Sequence, residues 1–176
     1  MNAVARADSV VLLAASAVEM QALGERLGQL LRVGDVVGLI GPLGAGKTTF
    51  AQGLARGLQV SAERHVASPT FALVNQHPGR VPFVHVDLYR INDVAEIAEL
   101  GLSETYDYAA VAIEWLDRFP AVAPADRLEV EIAVSFDLKG DSAGAGTRRI
   151  VARGTGPRGL ALAEALAGGG QRQSSA

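Results

Sequence analysis

The sequence predicts an α/β fold whose mixed sheet has a parallel centre and antiparallel additions. Strand-like and helix-like segments alternate in the first part of the chain, which is typical of sheets with parallel strands. The run Val36–Ile40 is apolar on both of its alternating faces, as expected for a strand in the middle of such a sheet. Residues 128–136 instead alternate apolar and polar side chains, and residues 148–153 are suited to pair with them. This later part of the chain therefore predicts the antiparallel strands.

Local patterns predict the remaining elements. Short, largely apolar runs predict strands at residues 10–14, 71–76, 81–86 and 109–113. Turn-forming residues at 77–80 separate two of these strands and predict a hairpin. Helical spacing of apolar residues, a capping residue or both predict helices at residues 17–31, 47–57, 94–100 and 158–167. Ser16 and Asp93 are suited to cap two of these helices at their N-termini.

The length of 176 residues fits one domain. We expect a flexible N-terminus over residues 1–9, a single domain over residues 10–167 and a disordered tail over residues 168–176. The tail reads Gly-Gly-Gly-Gln-Arg-Gln-Ser-Ser-Ala and offers almost nothing that can pack. The small and polar loop at residues 140–146 is expected to be mobile.

Composition excludes several classes of function. The chain has no cysteine, which rules out disulfides, thiolate zinc sites and thiol nucleophiles. Its formal net charge of −3 does not suggest a broad nucleic-acid-binding surface, because such surfaces are usually strongly basic. The apolar runs are too short for a membrane span or the core of a signal peptide. We therefore expect a cytoplasmic protein that does not contact membranes.

A glycine-rich loop carries the strongest functional signal. Residues 41–48 read Gly-Pro-Leu-Gly-Ala-Gly-Lys-Thr and match the phosphate-binding pattern G-x-x-x-x-G-K-[ST] in full. The loop follows an apolar strand and opens a helix, so its backbone N–H groups and the helix dipole are expected to face phosphate oxygens. In this pattern Lys47 reaches the terminal phosphates and Thr48 offers its hydroxyl to Mg²⁺. Lysine is otherwise found only at Lys139, which strengthens the functional interpretation of Lys47.

ATP is the expected nucleotide. Guanine-specific enzymes of the Ras type use an Asn/Thr-Lys-x-Asp motif, and neither lysine of this chain stands in that pattern. Nucleotide hydrolysis also needs a carboxylate near the end of a neighbouring strand. Asp87 and Glu114 each end an apolar run, so both are candidates. The residue pattern leaves open how they divide the roles of holding Mg²⁺ and orienting water.

Other candidates have an ordinary structural interpretation beside the functional one. Thr70 lies in Ser-Pro-Thr-Phe and is either a switch-like sensor of the terminal phosphate or part of a turn stiffened by proline. Trp115 is either a core residue or a neighbour of the nucleotide. The three histidines, His65, His77 and His85, lack the spacing of metal ligands and favour packed or surface roles.

Four segments occur in the order and spacing of one family. They are residues 41–50 (GPLGAGKTTF), 68–71 (SPTF), 85–90 (HVDLYR) and 113–115 (IEW). Together they resemble the bacterial TsaE family, the small ATPases required for making threonylcarbamoyladenosine in tRNA. The resemblance covers about residues 10–153, and the last three segments in combination are its most specific part.

The resemblance implies a P-loop NTPase fold, a three-layer αβα sandwich with the mixed sheet between helices. It implies binding of ATP and Mg²⁺ and slow ATP hydrolysis by the chain alone. It also implies joint action with the proteins TsaD and TsaB, which transfer the threonylcarbamoyl group to adenosine 37 of tRNAs reading codons that start with A. The chain would meet tRNA through that complex. It would not catalyse the transfer, and its ATP cycle would reset the complex for further turnovers.

The resemblance also implies roles by position. Lys47 contacts phosphates, Thr48 and Glu114 hold Mg²⁺, Asp87 belongs to the hydrolytic machinery and Thr70 belongs to a switch-like loop. The predicted catalytic residues are thus Lys47, Thr70, Asp87 and Glu114. The segment at residues 16–20 would lie near the adenine. The predicted ATP contacts are Gly41, Leu43, Gly44, Ala45, Gly46, Lys47, Thr48, Thr49 and Trp115.

Two other functions compete with an accessory ATPase. A P-loop small-molecule kinase would share the strand, loop and helix, but such kinases usually bring several arginines to the transferring phosphate. Here the arginines are scattered, and Arg148 and Arg149 form the only adjacent pair. A regulatory module that binds ATP without hydrolysing it is disfavoured by the paired carboxylates. We expect a monomer or a weak oligomer.

Overall fold

The structure is a computed structural model that describes residues 9–134 and 146–168. The strands are β1 (Ser9–Ala14), β2 (Val36–Ile40), β3 (Val74–His77), β4 (Phe83–Asp87), β5 (Ala110–Glu114), β6 (Leu128–Val134) and β7 (Arg148–Gly154). The α-helices are α1 (Ala17–Gly28), α2 (Lys47–Gly57), α3 (Val94–Ala98), α4 (Leu102–Thr105) and α5 (Pro157–Gly168). The expectations for the N-terminus, the 140–146 loop and the C-terminal tail lie outside the described residues, apart from Ser9, Gly146 and Gly168.

All seven strands form one sheet in the order β1-β7-β6-β2-β5-β4-β3. Strand β2 pairs in parallel with β5 and β6, and β4 pairs in parallel with β5. The pairs β1–β7, β6–β7 and β3–β4 are antiparallel. The predicted parallel centre with antiparallel additions is therefore confirmed, including the hairpin of β3 and β4.

The sheet lies between two layers of helix. Helices α1, α2 and α5 cover one face, where Met20, Phe50 and Leu162 belong to the larger core. The shorter helices α3 and α4 cover the other face, where Ile97 and Leu102 belong to a second core. These three layers are the αβα arrangement predicted from the sequence. Among the described helices, none combines the length and the apolar character needed to cross a membrane.

Helices α1 and α2 approach each other backbone to backbone. Four glycines line the crossing: Gly24, Gly28, Gly53 and Gly57. A Cβ added to Gly53 would lie 2.2 Å from the carbonyl oxygen of Gln21, and one added to Gly24 would lie 2.3 Å from that of Phe50. Such distances are far below van der Waals contact, so only glycine permits this approach.

Two sequence predictions placed an element end three residues from its observed position. Helix α1 ends at Gly28, not at residue 31, and the backbone N–H of Gln29 closes its last turn. Strand β3 begins at Val74, not at residue 71, because Leu73 has a φ of +66°, a left-handed conformation that interrupts an extended strand. Phe71 consequently lies outside the sheet and is 87% exposed.

Candidate functional site

The glycine-rich loop links the end of β2 to the start of α2. Gly41, Gly44 and Gly46 have φ angles of +144°, +76° and +113°, which glycine adopts readily and other residues rarely do. A Cβ on Gly41 would lie 2.2 Å from the carbonyl oxygen of Ile132, whereas a Cβ on Gly44 would meet nothing within 4 Å. The loop is thus tight against β6 on one side and open on the other. Its open side is continuous with the N-terminus of α2, which favours anions.

Lys47, the first residue of α2, is only 4% exposed. Its Nζ donates hydrogen bonds to the carbonyl oxygens of Gly41 at 2.6 Å and Pro42 at 3.0 Å. The same nitrogen lies 3.7 Å from the centre of the Trp115 ring. Burial lowers the pKa of Lys47 from its usual 10.5, an effect partly opposed by the carboxylates of Glu114 and Asp87. The ammonium group therefore lies between the loop and the Trp115 ring, where the loss of hydration disfavours its charged form.

A cavity of about 310 Å³ opens beside this lysine. Its walls come from the glycine-rich loop, α2, the segment before β3 and the ends of β4 and β5. They comprise Leu43, Gly44, Gly46, Lys47, Thr48, Thr49, Ser68, Thr70, Asp87, Tyr89, Glu114 and Trp115. Ten of these lining residues were singled out from the sequence. The structure thus brings the glycine-rich loop, both candidate carboxylates, Thr70 and Trp115 to the wall of one cavity.

Two predicted residues lie outside the walls of this cavity. Gly41 sits behind the loop, where its carbonyl oxygen accepts from Lys47. Ala45 lines a neighbouring cavity of about 130 Å³ together with Ser16, Met20 and Arg148. Arg148, which sequence reasoning passed over as a site residue, donates from Nε to the carbonyl oxygen of Ala45 at 3.0 Å. The smaller cavity therefore adjoins the loop on the side of α1 and β7.

Glu114 ends β5 and is 3% exposed. Its Oε1 accepts a hydrogen bond from the Thr48 hydroxyl at 2.9 Å. The Nε2 of His85, a fully buried residue of β4, lies 2.9 Å from the same oxygen. The first turn of α2 and two strands therefore meet at one carboxylate oxygen.

Asp87 ends β4 directly beside Glu114 in the register of the two strands. Its Oδ2 accepts from the hydroxyls of Thr70, at 2.9 Å, and Ser68. Its Oδ1 accepts from the backbone N–H of Tyr89 at 2.8 Å. Asp87 thus ties the segment that contains Thr70 to the end of its strand.

His85, Ser68 and Tyr89 are site residues that sequence reasoning missed. His85 was assigned a packed or surface role, and it is indeed packed, but it also bonds a site carboxylate. A signal was present, because His85 and Asp87 are two residues apart on one strand and so share a face. Ser68 stands two residues before Thr70, and Tyr89 two residues after Asp87. Trp115 proves to be a half-buried wall of the cavity, 5.1 Å from the Tyr89 ring between centroids.

The sheet order and the loop between β2 and α2 define a P-loop fold. The chain belongs to the TsaE family, since the family model described as "Threonylcarbamoyl adenosine biosynthesis protein TsaE" matches residues 14–140. The family resemblance predicted from the sequence is thereby confirmed. The family is named for a role in the synthesis of a modified tRNA nucleoside.

Several proteins named "tRNA threonylcarbamoyladenosine biosynthesis protein TsaE" are similar to this chain. The protein of Streptomyces coelicolor is 41% identical over 117 residues, which cover 64% of this chain and 78% of the relative. That of Treponema pallidum is 36% identical over 69% of this chain and 90% of its own length. The Mycobacterium bovis protein is 45% identical, but the match spans 53% of this chain and 60% of the relative.

A solved structure supports the fold assignment. The crystal structure of YdiB from Bacillus subtilis superposes with a TM-score of 0.75 at 27% sequence identity. The match covers 93% of this chain and 97% of that chain. The agreement extends over both the parallel centre and the antiparallel additions, since it includes nearly the whole chain.

Proposed function

We propose that this chain is a Mg²⁺-dependent ATPase that serves threonylcarbamoyladenosine formation at position 37 of tRNAs reading codons that start with A. It acts with TsaD and TsaB and does not itself transfer the threonylcarbamoyl group. One observation carries the proposal: Lys47, Thr48, Asp87 and Glu114 line one cavity at the mouth of the glycine-rich loop. We further propose that it works in the cytoplasm as a monomer or a weak oligomer.

The loop and Lys47 are suited to bind the phosphates of ATP. The open side of Gly44 lets phosphate oxygens approach the backbone N–H groups of the loop. Lys47 already carries its ammonium at the cavity wall, where it is bound to two carbonyl oxygens. A phosphate oxygen offers this ammonium a full negative charge in place of neutral carbonyls, so binding favours an exchange of partners.

Thr48 and Glu114 are suited to hold Mg²⁺. Their oxygens lie 2.9 Å apart at the cavity wall, and hard oxygen donors are the ligands that Mg²⁺ takes from proteins. A bound Mg²⁺ would neutralise charge that develops on the phosphates. Asp87, next to Glu114, is placed to orient a water molecule, and Thr70 and Ser68 fix one of its oxygens. This division of roles between the two carboxylates is part of the proposal.

The smaller cavity is suited to receive the base of the nucleotide. It adjoins the glycine-rich loop, and Ser16, Met20 and Arg148 contribute to its walls. Arg148 fixes the loop through its bond to the Ala45 carbonyl, which shapes this end of the site. Trp115 stands at the opposite, phosphate end, over the ammonium of Lys47.

Steady-state ATP hydrolysis tests the proposal directly. The purified chain is assayed alone, with purified TsaD and TsaB, and with each partner singly. We expect the chain alone to release phosphate slowly and in a Mg²⁺-dependent manner. The rate should increase when both partners are present, because the family resemblance implies that the ATP cycle serves the complex. The Glu114→Gln variant, purified in the same way, is the matched control. Phosphate release at the same rate in this variant would come from contaminating ATPases.

Two results would contradict the proposal. Phosphate release unchanged by the partners, with the terminal phosphate found on an added metabolite, would indicate the small-molecule kinase. Binding of ATP without hydrolysis under any of these conditions would indicate a regulatory module.

A further inference from the structure

We infer that His85 is a positioning residue that holds Glu114 in place for Mg²⁺. The inference rests on the proposed function, because it assigns a task to a side chain behind the proposed metal ligand. His85 does not line the cavity and so does not touch the nucleotide. It acts through the carboxylate of Glu114.

The chemistry of the two side chains sets the direction of the hydrogen bond between them. His85 Nε2 lies 2.9 Å from Oε1 of Glu114, and the side chains are 0% and 4% exposed. An ionised carboxylate only accepts hydrogen bonds, so Nε2 carries the hydrogen and donates it. Such a donor behind a metal ligand orients the ligand and sets its basicity.

Packing alone does not account for a histidine at this position. Within residues 9–134 and 146–168, Nδ1 of His85 is buried and has no hydrogen-bond partner. With the hydrogen on Nε2, Nδ1 presents an unpaired acceptor, which is unfavourable in a protein interior. An apolar ring would fill the same space without that penalty. The bond to Glu114 is therefore the distinctive contribution of the imidazole.

Aromatic stacking restrains the plane of the imidazole ring. The ring of Phe83 stacks on that of His85 at 6.0 Å between centroids with an interplanar angle of 19°. His77 also stacks on Phe83, at 6.0 Å between centroids. The stack restrains the plane of the imidazole, and within that plane Nε2 lies 2.9 Å from Oε1 of Glu114.

The shared oxygen explains why a second donor matters. Among the described residues, the Glu114 side chain accepts hydrogen bonds from Thr48 and His85. The Thr48 hydroxyl has one hydrogen and is also a proposed metal ligand. When that hydroxyl changes partner, His85 remains to keep the carboxylate at the end of β5. Without His85 the carboxylate would be free to rotate away.

The test measures how nucleotide binding depends on Mg²⁺, without any turnover. Trp115 is the single tryptophan of the chain and lines the cavity, so its fluorescence reports binding of ADP or a non-hydrolysable ATP analogue. Each protein is titrated in EDTA and then at increasing free Mg²⁺. The variants are His85→Phe, which keeps an aromatic ring but has no hydrogen-bond donor, and His85→Gln, which has an amide donor in place of the imidazole N–H.

His77→Phe is the matched control. It replaces another buried histidine of the same stack, which likewise has one ring nitrogen, Nε2, without a partner among the described residues. His85→Leu is a second apolar variant should the larger ring disturb folding.

We expect His85→Phe to bind nucleotide in EDTA as the unaltered chain does. Its half-saturating Mg²⁺ concentration should rise on the order of 10-fold or more, the usual effect of removing a residue that orients a metal ligand. His85→Gln should recover most of this loss, and His77→Phe should show none.

An unchanged Mg²⁺ response in His85→Phe and His85→Leu would overturn the inference. So would an equal loss of affinity with and without Mg²⁺ together with a lower melting temperature, because that pattern indicates a purely structural role. A Mg²⁺ response missing from the unaltered chain would instead contradict the proposed function itself.

Discussion

The ammonium group of Lys47 lies 3.7 Å from the centre of the Trp115 ring while it donates hydrogen bonds to Gly41 and Pro42. Lys47, the proposed phosphate-binding residue, therefore has hydrogen-bond and aromatic partners within the protein itself. Trp115 can take this position because its φ of +63° turns the chain sharply after β5. Contact between a cation and an aromatic face is favourable, but burial still lowers the pKa of this lysine.

Lys47→Met should separate nucleotide binding from stability. We expect the variant to bind ATP far more weakly, since its side chain has no charge to offer. At pH 7.5 its free energy of unfolding without ligand should equal or exceed that of the unaltered chain, because the burial penalty on the ammonium is gone. Isothermal titration calorimetry and urea denaturation measure the two effects, with the exposed Arg56→Met on the same helix as control.

The same variant gives a pH dependence of known sign. Because folding lowers the pKa of Lys47 below 10.5, the unfolded chain holds more protons than the folded chain between the lowered value and 10.5. Stability of the unaltered chain therefore rises with pH in that window, relative to Lys47→Met. The advantage of the variant should shrink between pH 7.5 and pH 10. A constant or growing advantage would contradict a burial penalty on this group.

Glu114→Gln and Asp87→Asn should fail in different ways. Glu114→Gln should weaken the Mg²⁺ dependence of nucleotide binding, because an amide oxygen is a poorer ligand than a carboxylate. Asp87→Asn should keep that dependence and lose hydrolysis by a factor on the order of 100, as expected when a group that handles the attacking water is removed. Binding titrations and phosphate-release assays distinguish them, with the exposed Asp117→Asn as control. Identical behaviour of the two variants would refute the division of roles.

His77→Phe should stabilise the chain most at acidic pH. His77 is 8% exposed, and burial above all lowers its pKa from 6.5. At pH 7.5 we expect the variant to gain about 1 kcal/mol, because a buried nitrogen without a partner is removed. As pH falls below 6.5, the unfolded chain takes up a proton that the folded chain does not, so the unaltered chain loses stability and the gap widens.

Urea denaturation at pH 7.5 and pH 5.5 checks this prediction. The exposed His65→Gln serves as the control, since it leaves the stack intact. A gap that stays constant or narrows toward acidic pH would show that the environment of His77 does not disfavour its protonated form.

Gly53→Ala should destabilise the fold although alanine is the better helix former. Intrinsic propensity favours alanine by about 1 kcal/mol. The added Cβ, however, would lie 2.2 Å from the Gln21 carbonyl oxygen and would force α1 and α2 apart. We expect a net loss of about 2 kcal/mol in the free energy of unfolding, within the usual range for overpacking. Gly168→Ala, where a Cβ meets nothing within 4 Å, is the control and should change little.

Sequence reasoning succeeded where the signal is local. The strand β2, the glycine-rich loop and the start of α2 are consecutive in the chain, so a single pattern identified all three. Asp87 and Glu114 were found because each ends an apolar strand, and parallel strands bring such ends together. The spacing of His85 and Asp87 could have marked His85 as a candidate, but its bond to Glu114 depends on the lateral pairing of β4 with β5, which a single sequence does not specify. The start of β3 was misplaced because leucine rarely adopts a positive φ, so the sequence does not predict the φ of Leu73.

The glycine crossing of α1 and α2 has a consequence for how the site can change shape. No layer of side chains separates the two helices, so neither can slide on the other without a backbone clash. Helix α1 contributes to the proposed base end of the site, and α2 carries Lys47 and Thr48. Those two ends therefore keep a fixed separation. The opposite wall is built differently, because the side chains of Ser68 and Thr70 are joined to Asp87 there by hydrogen bonds. One wall of the site is therefore set by a backbone-to-backbone contact, and the facing wall is joined by side-chain hydrogen bonds.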